Sequence, residues 1–165
     1  MIADLVVADS GPLHYLILID CAQILARLFV RVVIPSAVRD ELLHPRAPKR
    51  VKDWILQPPA WLEITNVSNA QPVHVLHPGE TEALQLALER KAPAVLMDDM
   101  DGRGAARRLG LVPIFTVALL EHAAENGLID LPSAVAKLRQ TSFFVSPEIL
   151  DAALERDRQR KENMK

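Results

Sequence analysis

Five short apolar runs punctuate the chain, at residues 5–8, 30–34, 62–65, 94–97 and 112–115. Each is continuous rather than alternating, the pattern of a strand covered on both faces. Helical patterns fill the gaps, at 12–19, 22–29, 36–44, 48–57, 78–91, 100–109 and 117–126. Two more, at 131–140 and 147–161, close the chain. Regular alternation of strand and helix predicts a doubly wound α/β domain with a parallel sheet and right-handed crossovers. The chain has 165 residues, half of them hydrophobic and 24% charged, which suits one soluble domain. That domain is placed at residues 1–150, with 151–165 as a solvated helix end or frayed tail. Pro58-Pro59 and residues 66–72 read as loops too short to separate domains.

Nineteen basic against 21 acidic residues leave a net charge of −2. The chain as a whole lacks the basic footprint of a dedicated nucleic-acid binder, though a local basic surface stays open. The one cysteine, Cys21, excludes an intramolecular disulfide and a Cys-based zinc cluster and fits a reducing cytosol. Asp4, Asp9, Asp20, Arg27 and Arg31 interrupt the apolar N-terminal third, well short of the roughly 20 apolar residues of a membrane span. Met1-Ile2-Ala3-Asp4 offers no basic leader segment. The expectation is a cytoplasmic protein with no membrane contact.

Several acids occupy unusual places. Asp9 directly follows the first apolar run, at the carboxyl end of a strand, where open α/β sheets place their ligands. An N-cap for the following helix is the other reading of Asp9. Asp98 and Asp99 end the fourth run. A cap explains one of them, but adjacent acids, with Asp101 beyond, repel unless a cation sits among them. Glu41 falls between Ala37 and Val38 on its helix, inside an apolar stripe that is costly for an unpaired acid. Asp40 points away. Glu80 sits centrally on the stripe of Ala83, Leu84, Ala87 and Leu88, while Glu82 is expected to face outward. The helix dipole favours an acid in that first turn without explaining why it points inward. Asp9, Glu41, Glu80 and Asp98 therefore form a candidate cluster for Mg²⁺ or Mn²⁺, which take oxygen ligands. Such clusters hydrolyse phosphodiesters.

Other motifs carry less. Gly102-Arg103-Gly104-Ala105-Ala106-Arg107 departs from the dinucleotide fingerprint, and no phosphate-binding glycine loop is present. His14, His44, His74, His77 and His122 show no zinc-ligand spacing. Ser10 has no evident His–Asp partners. A receiver domain would need an acid after the third strand, where Thr65-Asn66 stands. A haloacid-type phosphatase would need Asp where Gly11 stands.

The segments around these acids resemble the PIN-domain ribonucleases. Val7-Ala8-Asp9-Ser10-Gly11-Pro12-Leu13 is similar to the family's opening strand, acid and hydroxyl residue. Ile34-Pro35-Ser36-Ala37-Val38-Arg39-Asp40-Glu41-Leu42 resembles its second segment, and Gly79-Glu80-Thr81-Glu82-Ala83-Leu84 its third. Leu96-Met97-Asp98-Asp99-Met100-Asp101-Gly102-Arg103 and the residues to Leu111 resemble its fourth. Thr116 and Gly127-Leu128-Ile129 are most similar to a VapC-like toxin subgroup long labelled a domain of unknown function. The resemblance runs from about Val6 to Leu154. Phe115 stands where that subgroup usually has Gly, and Ala124 where it often has Lys.

The resemblance implies a PIN-like three-layer fold with five parallel strands in the order 3-2-1-4-5, which would make Asp9 and Asp98 neighbours. It implies a metal-dependent endoribonuclease, the toxin of a VapBC-type pair, with RNA as substrate and an antitoxin as inhibitor. Asp9, Glu41, Glu80 and Asp98 would hold metal, with Asp99 or Asp101 assisting through water. Ser10 and Thr116 would donate to metal-bound water or phosphate. Arg103 and Arg107, placed opposite a buried face of Ala105, Ala106 and Leu109, would contact RNA phosphates or be a solvated face. A homodimer is expected, because Leu13, residues 15–19 and residues 24–28 exceed the apolar surface one buried face needs. A non-catalytic PIN-fold module in an RNA-processing complex is the rival reading.

Overall fold

A computed structural model describes residues 1–68 and 76–165. Part of the loop stretch 66–72, and His74, lie outside the described residues. Five strands form one parallel sheet: β1 (Ala3–Ala8), β2 (Phe29–Pro35), β3 (Leu62–Thr65), β4 (Ala94–Leu96) and β5 (Val112–Ile114), in the order β3-β2-β1-β4-β5. The fold class and strand order are those expected. The register pairs Val7 with Val33 on one side and with Val95 on the other.

Strand residues alternate between two apolar layers. Val6, Ala8, Val32, Ile34 and Leu96 enter one core, with α1 (Ser10–Leu18), α3 (Ser36–Leu42), α4 (Lys49–Leu56) and α7 (Thr116–Glu125). The helices α8 (Leu131–Arg139) and α9 (Pro147–Asn163) complete that layer. Leu5, Val7, Val33, Val95 and Met97 enter the other, with α5 (Pro78–Glu89) and α6 (Met100–Arg108). Burial on both faces removes any need for alternation, which is why the strands read as unbroken apolar runs.

Some boundaries move. β1 starts at Ala3, before its apolar run, and α1 starts at Ser10 rather than residue 12. The expected helix at 22–29 is a 3₁₀ turn, Ala22–Ile24, followed by the single turn α2 (Leu25–Leu28). Phe29 instead opens β2. Most of the apolar excess of this region is buried within the chain, with Tyr15, Leu18 and Ala26 half-buried. Leu13, Leu16, Ile17, Ile19, Ile24, Leu25 and Leu28 are all buried, so these residues do not supply the surface from which a homodimer was expected.

The C-terminal segment belongs to a helix. α9 runs unbroken past residue 150, burying Leu150, Ala153 and Asp157. Arg156 clasps Glu121 of α7 at 2.8 Å, and Arg139 of α8 reaches Asp151 at 3.0 Å. No described helix is long and apolar enough to cross a membrane.

Candidate functional site

β1 and β4 are neighbours at the point where the strand order reverses, so the residues after them share one crevice at the carboxyl edge of the sheet. The Asp9 N–H extends the ladder to Leu96 O at 2.9 Å, fixing Asp9 beside the end of β4. Asp9 is only 4% exposed. It occupies the N-cap position of α1 but makes no side-chain cap bond, which disposes of the capping explanation. Its Oδ1 is buried with no hydrogen-bond partner. Burial, followed by the charges of Glu80, Glu41 and Asp98, pushes its pKa up to about 8 against a hydrogen bond from the Ser10 backbone. The other three acids thus each lie within electrostatic reach of Asp9.

The other carboxylates are each turned onto donors. The Ser10 hydroxyl donates to Glu41 Oε2 at 2.6 Å, and the Gly79 N–H to Glu41 Oε1 at 2.8 Å. The half-buried Glu41 is therefore held between the first turns of α1 and α5, where a Cβ on residue 79 would overlap its carboxylate. Glu80 is buried and accepts from the His77 N–H at 3.3 Å. Burial, and then the charge of Asp99, raises its pKa. Asp98 accepts twice from Thr116, N–H to Oδ1 at 2.7 Å and hydroxyl to Oδ2 at 2.6 Å. Burial raises the Asp98 pKa, opposed by these two bonds and by Arg103.

Several expectations need correction. Asp99 caps α6 through Gly102 N at 2.9 Å, so the capping reading holds for this acid, which still lies near Glu80. The hydroxyls of Ser10 and Thr116, expected to donate to metal-bound water or phosphate, donate here to Glu41 and Asp98. Glu82 does not simply face outward: it is half-buried and takes a long contact of 3.4 Å from Ala37 N, at the start of α3. On α5, Leu86 is buried and Leu88 exposed, because the helix packs against α3 as well as the sheet.

On α6 the buried face is Gly102, Ala105 and Ala106, and Leu109 is 46% exposed. A Cβ at Gly102 would overlap Met97, so the first turn of α6 sits directly on the end of β4. Arg103 does not project with the exposed Arg107. Its guanidinium lies over the Phe115 ring, 5.3 Å from the centroid, and its Nε is buried without a partner. The sequence reading missed Gly79, whose N–H positions Glu41, and the aromatic contact of Arg103. The substitution of Phe115 for the subgroup's glycine was the available signal for the second.

Among the described residues, no group of three or more His, Cys, Asp or Glu side chains is arranged to hold a metal ion. The physical reason is visible in the bonds above: like charges repel, and each carboxylate settles on its nearest N–H or O–H. The donor set nonetheless fits a hard divalent cation, because Asp9 Oδ1 is a buried acceptor with nothing to accept from, among acids that raise its proton affinity.

The family model of the PIN domain matches residues 5–159 of the chain. A search of curated proteins finds no match.

Proposed function

The chain belongs to the PIN-domain family, whose members are generally nucleases, and from that premise we propose that it is a Mg²⁺- or Mn²⁺-dependent endoribonuclease of the VapC-like subgroup. The observation that carries this reading is the buried, partnerless Oδ1 of Asp9 among three other acids. Asp9, Glu41, Glu80 and Asp98 would hold the cation, with Asp99 beside them. When bound, the cation would supply polarisation of a phosphoryl oxygen and a lowered pKa of water.

The chain's own groups prepare this. Ser10 and Gly79 hold the Glu41 carboxylate against α1 and α5. Thr116 fixes both oxygens of Asp98. Arg103 brings a positive charge to an edge that is otherwise acidic, and so tempers repulsion of the phosphate backbone. Burial raises the pKa of Asp9 to about 8, so a cation binding there would displace a proton from it.

In the biological setting this reading implies a cytoplasmic toxin held inactive by an antitoxin, and a pairing of two copies. Cleavage of a panel of structured RNAs with Mg²⁺ or Mn²⁺, with EDTA as control, tests the chemistry. Cutting that persists in EDTA, or in Asp9→Asn, would falsify it. Expression of the chain alone should slow growth, and co-expression with the product of the adjacent gene should relieve it. Unaffected growth despite soluble, RNA-cleaving protein counts against the toxin role. A chain that binds RNA without cutting it would return the reading to a non-catalytic PIN-fold module.

A further inference from the structure

A cavity of about 310 Å³ opens directly beside Asp98. Its walls include Arg103, Phe115, Phe143, Phe144 and Ile149. Three of the chain's four phenylalanines are thus gathered at one place, in a protein with few aromatics to spare. Met100, Phe144 and Ile149, all lining it, are exposed, Phe144 by 95%, so its mouth is a contiguous apolar patch rather than a lone exposed side chain.

The loop that presents it is pinned. The Tyr15 hydroxyl meets Ser142 Oγ at 3.1 Å, the Tyr15 ring packs edge-on against Phe143 at 5.0 Å, and Thr141 Oγ1 donates to Leu138 O at 2.6 Å. Phe143 and Val145 pack onto the core, so the residue between them is turned outward. Arg103 also lines it, with its guanidinium carbon 5.3 Å from the Phe115 ring centroid and its Nε buried and unpartnered. The cavity therefore offers flat apolar faces, one planar cation and a carboxylate rim, and it adjoins the acid cluster.

We propose that this cavity holds one unpaired nucleobase of the RNA, stacked on Phe144 and against the Arg103–Phe115 pair, next to the bond to be cut. A base has two π faces and polar edges, which match such walls. Ligand cavities of this kind start at about 300 Å³. The substrate backbone must come to Asp98 in any case, so its neighbouring base arrives at the mouth of the cavity without further reach. Selection of an unpaired base follows, because a paired base cannot leave its stack without cost. This inference rests on the nuclease reading and adds to it a stacking site for one base beside the cut, built from Phe144, Arg103 and Phe115.

The test uses the full chain, Mn²⁺ and a short single-stranded RNA in which each nucleotide near the mapped cut is made abasic in turn. At one position the abasic RNA should raise KM about tenfold, the size of a single stacking contact. Phe144→Ala should raise KM for the intact RNA by a similar factor, and the two losses should not multiply. Phe144→Tyr should restore the intact value. If RNA is cut but the losses multiply, or neither change moves KM, the nucleobase site is overturned and the nuclease reading stands. If Phe144→Ala instead abolishes pairing of two copies in sedimentation while KM is unmoved, the cavity docks protein and the proposal fails. If the wild type cuts no RNA, both readings fall together.

Discussion

Gly79 and Glu41 are 38 residues apart in the chain and joined by a 2.8 Å hydrogen bond from the glycine N–H to the carboxylate. The space where a side chain at 79 would begin is the space that carboxylate fills. Gly79→Ala should therefore displace the Glu41 carboxylate without removing any acid from the chain. An alanine in the first turn of α5 is otherwise neutral or stabilising, by up to about 1 kcal/mol. Cleavage should fall at least tenfold with no drop in melting temperature. Wild-type rates would show that the position of Glu41 does not matter.

Asp9→Asn keeps the shape of the side chain and removes its charge. RNA cleavage should fall by about two orders of magnitude or more, as expected when several kcal/mol of transition-state stabilisation are lost. The metal-free protein should become more stable at pH 8, because a buried charge among like charges is gone. Paired cleavage assays and thermal melts check both halves. A variant that is inactive because it is unfolded would fail the second.

The same acid sets a pH dependence. In the unfolded chain Asp9 gives up its proton near 3.8, in the fold only near 8. Between those values the folded state binds more protons than the unfolded state, so stability falls as pH rises through the window. Burial raises the pKa of Glu80 and of Asp98 as well, and both act in the same direction. Metal-free protein should melt higher at pH 5 than at pH 8, and Asp9→Asn should flatten most of that slope. A wild-type melting temperature that rises with pH would contradict the arrangement.

Divalent cations should reverse the penalty. At a hundredfold excess over its dissociation constant a ligand adds about 2.7 kcal/mol, and a chain of this size gains roughly 2–4 °C per kcal/mol. Mn²⁺ or Mg²⁺ at pH 7 should thus raise the melting temperature by several degrees in the wild type and far less in Asp9→Asn. Calorimetry in buffers of different ionisation enthalpy should also detect a released proton, since Asp9 holds one before the cation arrives. An identical thermal response in both proteins would move the cation elsewhere.

Thr116 is fully buried and gives both its donors to Asp98. Thr116→Val strands Asp98 Oδ2 without a donor, at a cost of about 1–3 kcal/mol in stability, and should lower cleavage as Asp98 turns away. Thr116→Ser keeps the hydroxyl and should recover most of the cleavage. If valine and serine behave alike, the hydroxyl is not what positions Asp98.

The acids were legible before the fold because each broke a local rule: Asp9 and Asp98 end apolar strands, and Glu41 and Glu80 interrupt helical stripes. Burial is a property of such patterns, and an ionisable group placed against them stands out. Arg103 was misread for the complementary reason. Helical angle alone put it beside Arg107, but Phe115, twelve residues on and on another element, offers its ring to the guanidinium. Leu109 and Leu88 were misplaced likewise, since the apolar side of a helix says nothing about how far its neighbours extend.

Local pattern was sufficient for the parallel sheet, most of its helices and the strand-end acids, because strand burial and helical periodicity act over a few residues. The partner of each acid was decided only by the fold. Ser10 meets Glu41 across 31 positions, Gly79 meets it across 38, and Thr116 meets Asp98 across 18. A hydrogen bond needs a donor within about 3 Å, and nothing in the chain's local order encodes which distant donor arrives there. The crevice that gathers these groups exists because β1 lies between β2 and β4, and that neighbourhood is a property of the packed sheet.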